Sequence, residues 1–153
     1  MLATLRSCKH KFFLEYLWNW KPKLESHHLH AGGAFAKGLE VARRSFYDGG
    51  KNAEESLQAG VGALLGAYGS FEPPSDSPKT AARMAGALDF YFATWPLGSD
   101  PALPSVINGK RAIEFSFAEP LPILHPTTGE PLIYCGRADQ IVDFAGGRYV
   151  EDD

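Results

Sequence analysis

Apolar residues recur at helical spacing through the first two thirds of the chain and at strand spacing through the last third. Residues 4 to 18 set Leu5, Phe12, Tyr16 and Cys8 on one side at i, i+3/i+4 steps, which predicts an amphipathic helix. Pro22 closes that element, because the residue before a proline is biased away from helical geometry. From Leu24 to His30 the pattern lapses and reads as a loop, and Ala31-Gly32-Gly33 leads into a second helix from Ala34 to Tyr47. Phe35, Leu39, Ala42 and Phe46 form its core stripe. Ala36, Glu40, Arg43 and Tyr47 repeat the same spacing on a face turned by about 100°. A third helix is expected from Asn52, as N-cap, to Tyr68 with Leu57, Val61, Leu64 and Leu65 inward. A fourth, from Lys79 to Trp95, carries Met84, Leu88, Tyr91, Phe92 and Trp95.

From Val106 the period changes to two. Ile113, Phe115 and Phe117 alternate with Glu114 and Ser116, and the Pro-rich stretch from Glu119 to Pro131 reads as a connection. Two further strands follow, Leu132 to Phe144 and Arg148 to Asp153, around Ala145-Gly146-Gly147. Cys135, inside a strand, reads as a small core residue. Helices first (about 1–97), then antiparallel strands (about 105–153), define an α+β fold in one domain or part of one, and exclude a doubly wound βαβ sheet.

The final hairpin carries acids on both arms. A two-residue loop at Ala145-Gly146 sets Asp139 opposite Asp152. A loop at Gly146-Gly147 keeps the two on one face two residues apart, and a three-residue loop exchanges Asp152 for Asp153. Glu151 and Asp153 are then expected to face solvent. Directly opposed β-carbons lie about 4.5–5.5 Å apart, so paired like charges destabilise the hairpin unless a cation stands between them. A divalent metal meets that need. The competing reading is a charged edge that blocks aggregation.

Composition narrows the field. A net charge of −3 gives no global basic field, so a nucleic-acid partner needs a local patch. The best such patch is the opening helix, where Lys9 and Lys11 alternate with aromatic residues. Cys8 and Cys135, without a secretory signal, suit a reducing, cytoplasmic setting rather than a disulfide framework. No apolar run approaches the ~18 residues that would span a membrane. The spacing of His27, His28 and His30 matches no zinc pattern, and a solvated loop explains them.

Taken in order, five segments resemble the RecB-like branch of the PD-(D/E)XK nuclease superfamily, which includes phage-type exonucleases. Ser7-Cys8-Lys9-His10-Lys11-Phe12-Phe13-Leu14-Glu15-Tyr16 is similar to the family's opening helix motif. Gly32 to Glu40 resembles its Gly-x-x-x-His-x-x-Leu-Glu helix, and Ile113 to Phe117 the strand before the catalytic hairpin. Gly136-Arg137-Ala138-Asp139 resembles Gly-x-x-Asp, and Tyr149 to Asp153 the start of Asp/Glu-x-Lys.

The resemblance implies a restriction-endonuclease-like core and metal-dependent hydrolysis of DNA, as an exonuclease of recombination, repair or phage DNA metabolism. It implies Asp139 and Asp152 as catalytic residues and as ligands of Mg²⁺ or Mn²⁺, with Glu40 as a further ligand and Glu114 as a supporting acid. Lys9, Lys11 and Arg43 would contact DNA. Cys8 stands where some relatives place the first ligand of an iron–sulfur cluster. Two departures stand out. Ala36 occupies the usual metal-binding histidine position, and the family's lysine falls at position 154, beyond the last residue, so the chain is expected to be an inactive fragment. The alternative is a non-catalytic DNA-binding module whose site has decayed.

Overall fold

The computed structural model describes residues 2–21 and 26–151. Asp152 and Asp153 therefore lie outside the described residues, as does the segment 22–25. Three short opening elements, α1 (Leu2–Ser7), α2 (Lys9–Phe12) and a π-helical turn (Phe13–Leu17), replace the single helix expected there. The break falls at Cys8, whose backbone is extended (φ −155°, ψ 103°). Its Sγ accepts the Lys11 N–H at 3.4 Å, so it acts as the N-cap of α2.

The longest helix, α3 (His27–Tyr47), begins seven residues before the expected start and runs straight through Gly32-Gly33. The early turn is held by packing. Ala31 and Ala34 are buried, the His30 Nε2 lies 2.9 Å from the Tyr68 carbonyl oxygen, and the His30 ring stacks on Phe71. Tertiary burial outweighs the low helix propensity of two exposed glycines, which costs about 1 kcal/mol each. The core stripe of α3 is also rotated towards small residues: Ala31, Ala34, Gly38, Leu39 and Ala42 are buried, whereas Phe35 and Phe46 are half-buried.

That rotation is explained by α4 (Ala53–Tyr68), capped by Asn52 accepting from the Glu55 N–H at 2.9 Å. Ser56, Gly60, Leu64 and Tyr68 face inward at four-residue steps, while Leu65, expected inside, is exposed. A β-carbon on Gly60 would stand 2.7 Å from the Gly38 carbonyl oxygen and 2.8 Å from the Ala42 Cβ. The two helices therefore cross almost backbone to backbone. The third layer member, α5 (Ala81–Thr94), is capped by Thr80 and adds Met84, Leu88 and Phe92 to the core, while Trp95 remains exposed.

The sheet is organised on β5 (Pro131–Phe144), which pairs antiparallel with β1 (Leu103–Pro104), β4 (Ile113–Leu124) and β6 (Gly147–Glu151). Ser105 N donates to Ile141 O at 2.7 Å and Ile141 N to Ala112 O at 2.9 Å, which commits one edge of β5 to β1 and β4 and leaves the other to β6. A separate small hairpin joins β2 (Val106–Ile107) to β3 (Lys110–Arg111) through Asn108-Gly109, both at positive φ as a two-residue turn requires. The expected Pro-rich connection is shorter than anticipated, because β4 continues to Leu124 and β5 resumes at Pro131. Cys135 is exposed on this outer ribbon, not a core residue.

Between the β5 and β6 arms the loop is Ala145-Gly146, both with positive φ, and Phe144 faces Gly147. The ladder pairs Gln140 with Glu151 and Asp143 with Arg148. Of the possible registers, the two-residue one is present. Arg44 ties the helical layer to the sheet by donating from Nη2 to the Ile113 carbonyl at 2.6 Å. No described helix is long and apolar enough to cross a membrane.

Candidate functional site

Where α3 meets β4 and β5, an open cleft of about 480 Å³ is lined by Gly33, Ala36, Lys37, Glu40, Glu114, Arg137 and Asp139. Three carboxylates proposed from sequence thus reach one surface from three separate elements. Glu40 arrives on the fourth turn of α3, not beside its start, because the helix begins at His27. Glu114 and Asp139 arrive on adjoining strands, since Ile113 pairs with Gln140 and Phe115 with Ala138 on either side of them.

Glu114 has a positive φ of 50° in the middle of this ladder. A non-glycine side chain there costs roughly 1–3 kcal/mol, and such strain concentrates at functional sites. Its carboxylate, 12% exposed, is ion-paired with the Arg137 Nε. Arg137 precedes Asp139 by two residues and so shares its face of β5.

Glu40 is held from both sides along its own helix. Lys37 Nζ donates to Oε2 at 2.8 Å and Arg44 Nε to Oε1 at 3.1 Å. Partial burial works to raise its pKa, but the hydrogen bonds and charges of Lys37 and Arg44 outweigh it and hold the carboxyl below the usual glutamate range. Lys37, Arg44 and Arg137 are the site residues that sequence reasoning missed. The spacing Lys37-x-x-Glu40-x-x-x-Arg44 was a readable signal, because i,i+3 and i,i+4 partners meet on a helix.

The remaining candidates are dispersed. Arg43 is 8% exposed and donates to the Tyr91 hydroxyl at 2.9 Å, so the structure corrects its assignment as a surface DNA contact. It points away from the acidic cleft because Glu40 and Arg43 are three residues apart and β5 alternates: Asp139 lines one cleft and Gln140, with Arg43, lines another. Glu151 is also not a solvent residue, since it accepts from the buried Gln140 Nε2 at 2.8 Å. Lys9 and Lys11 are exposed on α2, and Lys11 lies 3.6 Å from the Glu15 carboxylate. Cys8 is exposed. Among the described residues no group of three or more His, Cys, Asp or Glu side chains is placed to hold a metal ion.

Fold and site together define an α+β protein whose helix–sheet junction concentrates three acids with three bases. Comparison with protein-family models, with curated proteins and with solved structures gives no match.

Proposed function

We propose that the chain belongs to a metal-dependent DNA nuclease of the RecB-like PD-(D/E)XK kind, with a restriction-endonuclease-like core. The observation that carries this reading is the convergence of Glu40, Glu114 and Asp139 on one cleft, with a strained backbone at Glu114. The donor chemistry fits Mg²⁺ or Mn²⁺, which prefer carboxylate oxygens. Asp139 would hold the cation with Asp152 as partner, on the reading that β6 carries the Gln140–Glu151 register on by one residue. Glu40 would complete the set from the helix. When bound, such a cation supplies charge stabilisation at a scissile phosphate and a lower pKa for its water.

The chain's own residues have defined tasks in this reading. Arg44 and Lys37 keep Glu40 ionised and fix its rotamer. Arg137 neutralises Glu114 beside Asp139, so the cleft does not accumulate three unscreened negative charges. The Lys37 and Arg137 side chains are 50% and 59% exposed, and their head groups suit contact with a phosphate backbone arriving at the cleft. Lys9 and Lys11 would add phosphate contacts from α2.

The test is degradation of end-labelled linear duplex DNA by the complete gene product with Mn²⁺. Activity should disappear in Asp139→Asn, and equal degradation by wild type and variant would refute the assignment. A second reading, a DNA-binding module without catalysis, is favoured by Ala36 in the cleft wall and by the ion pairs already engaging Glu40 and Glu114. It predicts DNA binding that persists in EDTA and is indifferent to Asp139→Ala.

A further inference from the structure

The second cleft, about 330 Å³, lies against the α5 end of the helical layer and is lined by Arg43, Tyr47, Tyr91, Trp95, Gln140 and Glu151 among others. Its floor contains a polar group with an unmet need. Gln140 is 5% exposed, and its Nε2 donates to the Glu151 Oε2 at 2.8 Å. A carboxylate only accepts, so this bond fixes which way the amide points. The Gln140 Oε1 is thereby turned inward, buried, and accepts no hydrogen bond among the described residues. Buried acceptors are nearly always satisfied in native proteins, so this one points to a donor supplied from elsewhere.

The walls specify the rest of the ligand. Tyr91 and Trp95 rings lie 5.0 Å apart, tilted by 47°, and Trp95 is 60% exposed at the mouth. Flat aromatic walls favour a flat π-face. Arg43 is held in the wall, bonded to the Tyr91 hydroxyl with its guanidinium 5.9 Å from that ring's centroid. Its positive charge faces the carboxylates of Glu151 and Asp100 across the same cavity, which disfavours a strongly charged occupant of either sign. A volume near the lower end of the usual ~300–1,000 Å³ range suits one ring system.

We propose that this cleft binds a nucleobase bearing an exocyclic amine, stacked against Tyr91 and Trp95, with the amine donating to Gln140 Oε1. The base can belong to a free nucleoside or to a residue of a single strand; the recognition chemistry is shared. The proposal rests on Gln140, Tyr91 and Trp95, not on the carboxylate cleft, so its success or failure is independent of the metal reading.

Isothermal titration of the protein in EDTA with adenosine, with purine riboside (the same ring without the amine) and with a short oligodeoxyadenylate tests it. Adenosine or the oligonucleotide should bind at least about tenfold tighter than purine riboside, the equivalent of one good hydrogen bond. Binding of adenosine identifies a free nucleoside as the source, and binding of the oligonucleotide alone identifies a base on a strand. Gln140→Met should abolish the preference for the amine. Trp95→Leu, at an exposed position, should weaken binding about tenfold with an unchanged melting curve, and decides the matter if Gln140→Met does not fold. Equal binding of adenosine and purine riboside, no binding of adenosine or oligonucleotide at millimolar concentration, or affinities unmoved by Trp95→Leu would overturn the proposal.

Discussion

Arg44→Met removes the one side chain that connects the helix carrying Glu40 to the strand carrying Glu114. Arg44 Nη2 donates to the Ile113 carbonyl at 2.6 Å, Nε to Glu40 at 3.1 Å, and Nη1 lies 3.8 Å from Asp48. A hydrogen bond from a charged donor contributes about 1.5–3 kcal/mol, and the lower end applies because Arg44 is 38% exposed. The i,i+4 pair with Glu40 adds about 0.5 kcal/mol, and the exposed, longer contact with Asp48 adds roughly nothing. Methionine retains most of the aliphatic packing, so the expected loss is about 2 kcal/mol. In urea that moves the unfolding midpoint down by about 1 M for a slope near 2 kcal/mol/M.

The pH dependence supplies a second readout. Because the Glu40 pKa is lowered in the folded state, its pairs stabilise the fold fully above the unfolded value near 4.5. That stability is lost as pH falls from there through the folded value. Removing Arg44 should therefore flatten the acid-side slope of stability against pH, with Lys37 sustaining the remainder. An unchanged urea midpoint, or the same acid slope in wild type and Arg44→Met, would refute the assignment of Arg44 as the tie between the layers.

Two glycines of α4 should respond in opposite directions. Gly60→Ala drives a β-carbon into Gly38 and Ala42 and should cost about 1–3 kcal/mol, whereas Gly62→Ala meets open space and should gain about 0.5–1 kcal/mol from helix propensity. Calorimetric melting of the pair checks the crossing. In the β5–β6 turn, Ala145 has a φ of 48°, so Ala145→Asn should stabilise by about 0.5–1 kcal/mol. A melting temperature that falls instead would count against the two-residue turn. Lys37→Met with Arg137→Met should weaken DNA binding and reduce its salt dependence, measured by fluorescence anisotropy, if both side chains contact phosphates.

What the sequence made legible was set by strong local signals. Asn52 and Thr80 cap their helices, Met84, Leu88 and Phe92 keep helical period, and the glycine-bearing turn sets the register of the last hairpin. The misreadings share a cause. Gly32-Gly33 and the histidines looked like a helix breaker, yet Ala31 and His30 pack against Tyr68 and Phe71 and carry the helix through. The helix-crossing surface was assigned to large apolar residues, whereas Gly38, Ala42 and Gly60 make it by lacking bulk. Pro120 and Pro122 suggested a loop but lie within β4 on its exposed outer part. At the site, Glu40, Glu114 and Asp139 were legible as acids. Their pairing with Lys37, Arg44 and Arg137 was not, and for Arg137 it depends on a contact between separate strands. Arg43 looked like a surface cation and is buried because its face of α3 turns towards Tyr91.

The most direct measurement is electron paramagnetic resonance of Mn²⁺ titrated with the protein, wild type against Asp139→Asn. A saturable site that Mg²⁺ displaces, weakened at least about tenfold by Asp139→Asn while the fold is retained, is the result predicted for an acidic cleft that holds a divalent cation. Mn²⁺ that stays unbound at millimolar concentration, or binds both proteins equally, would contradict it.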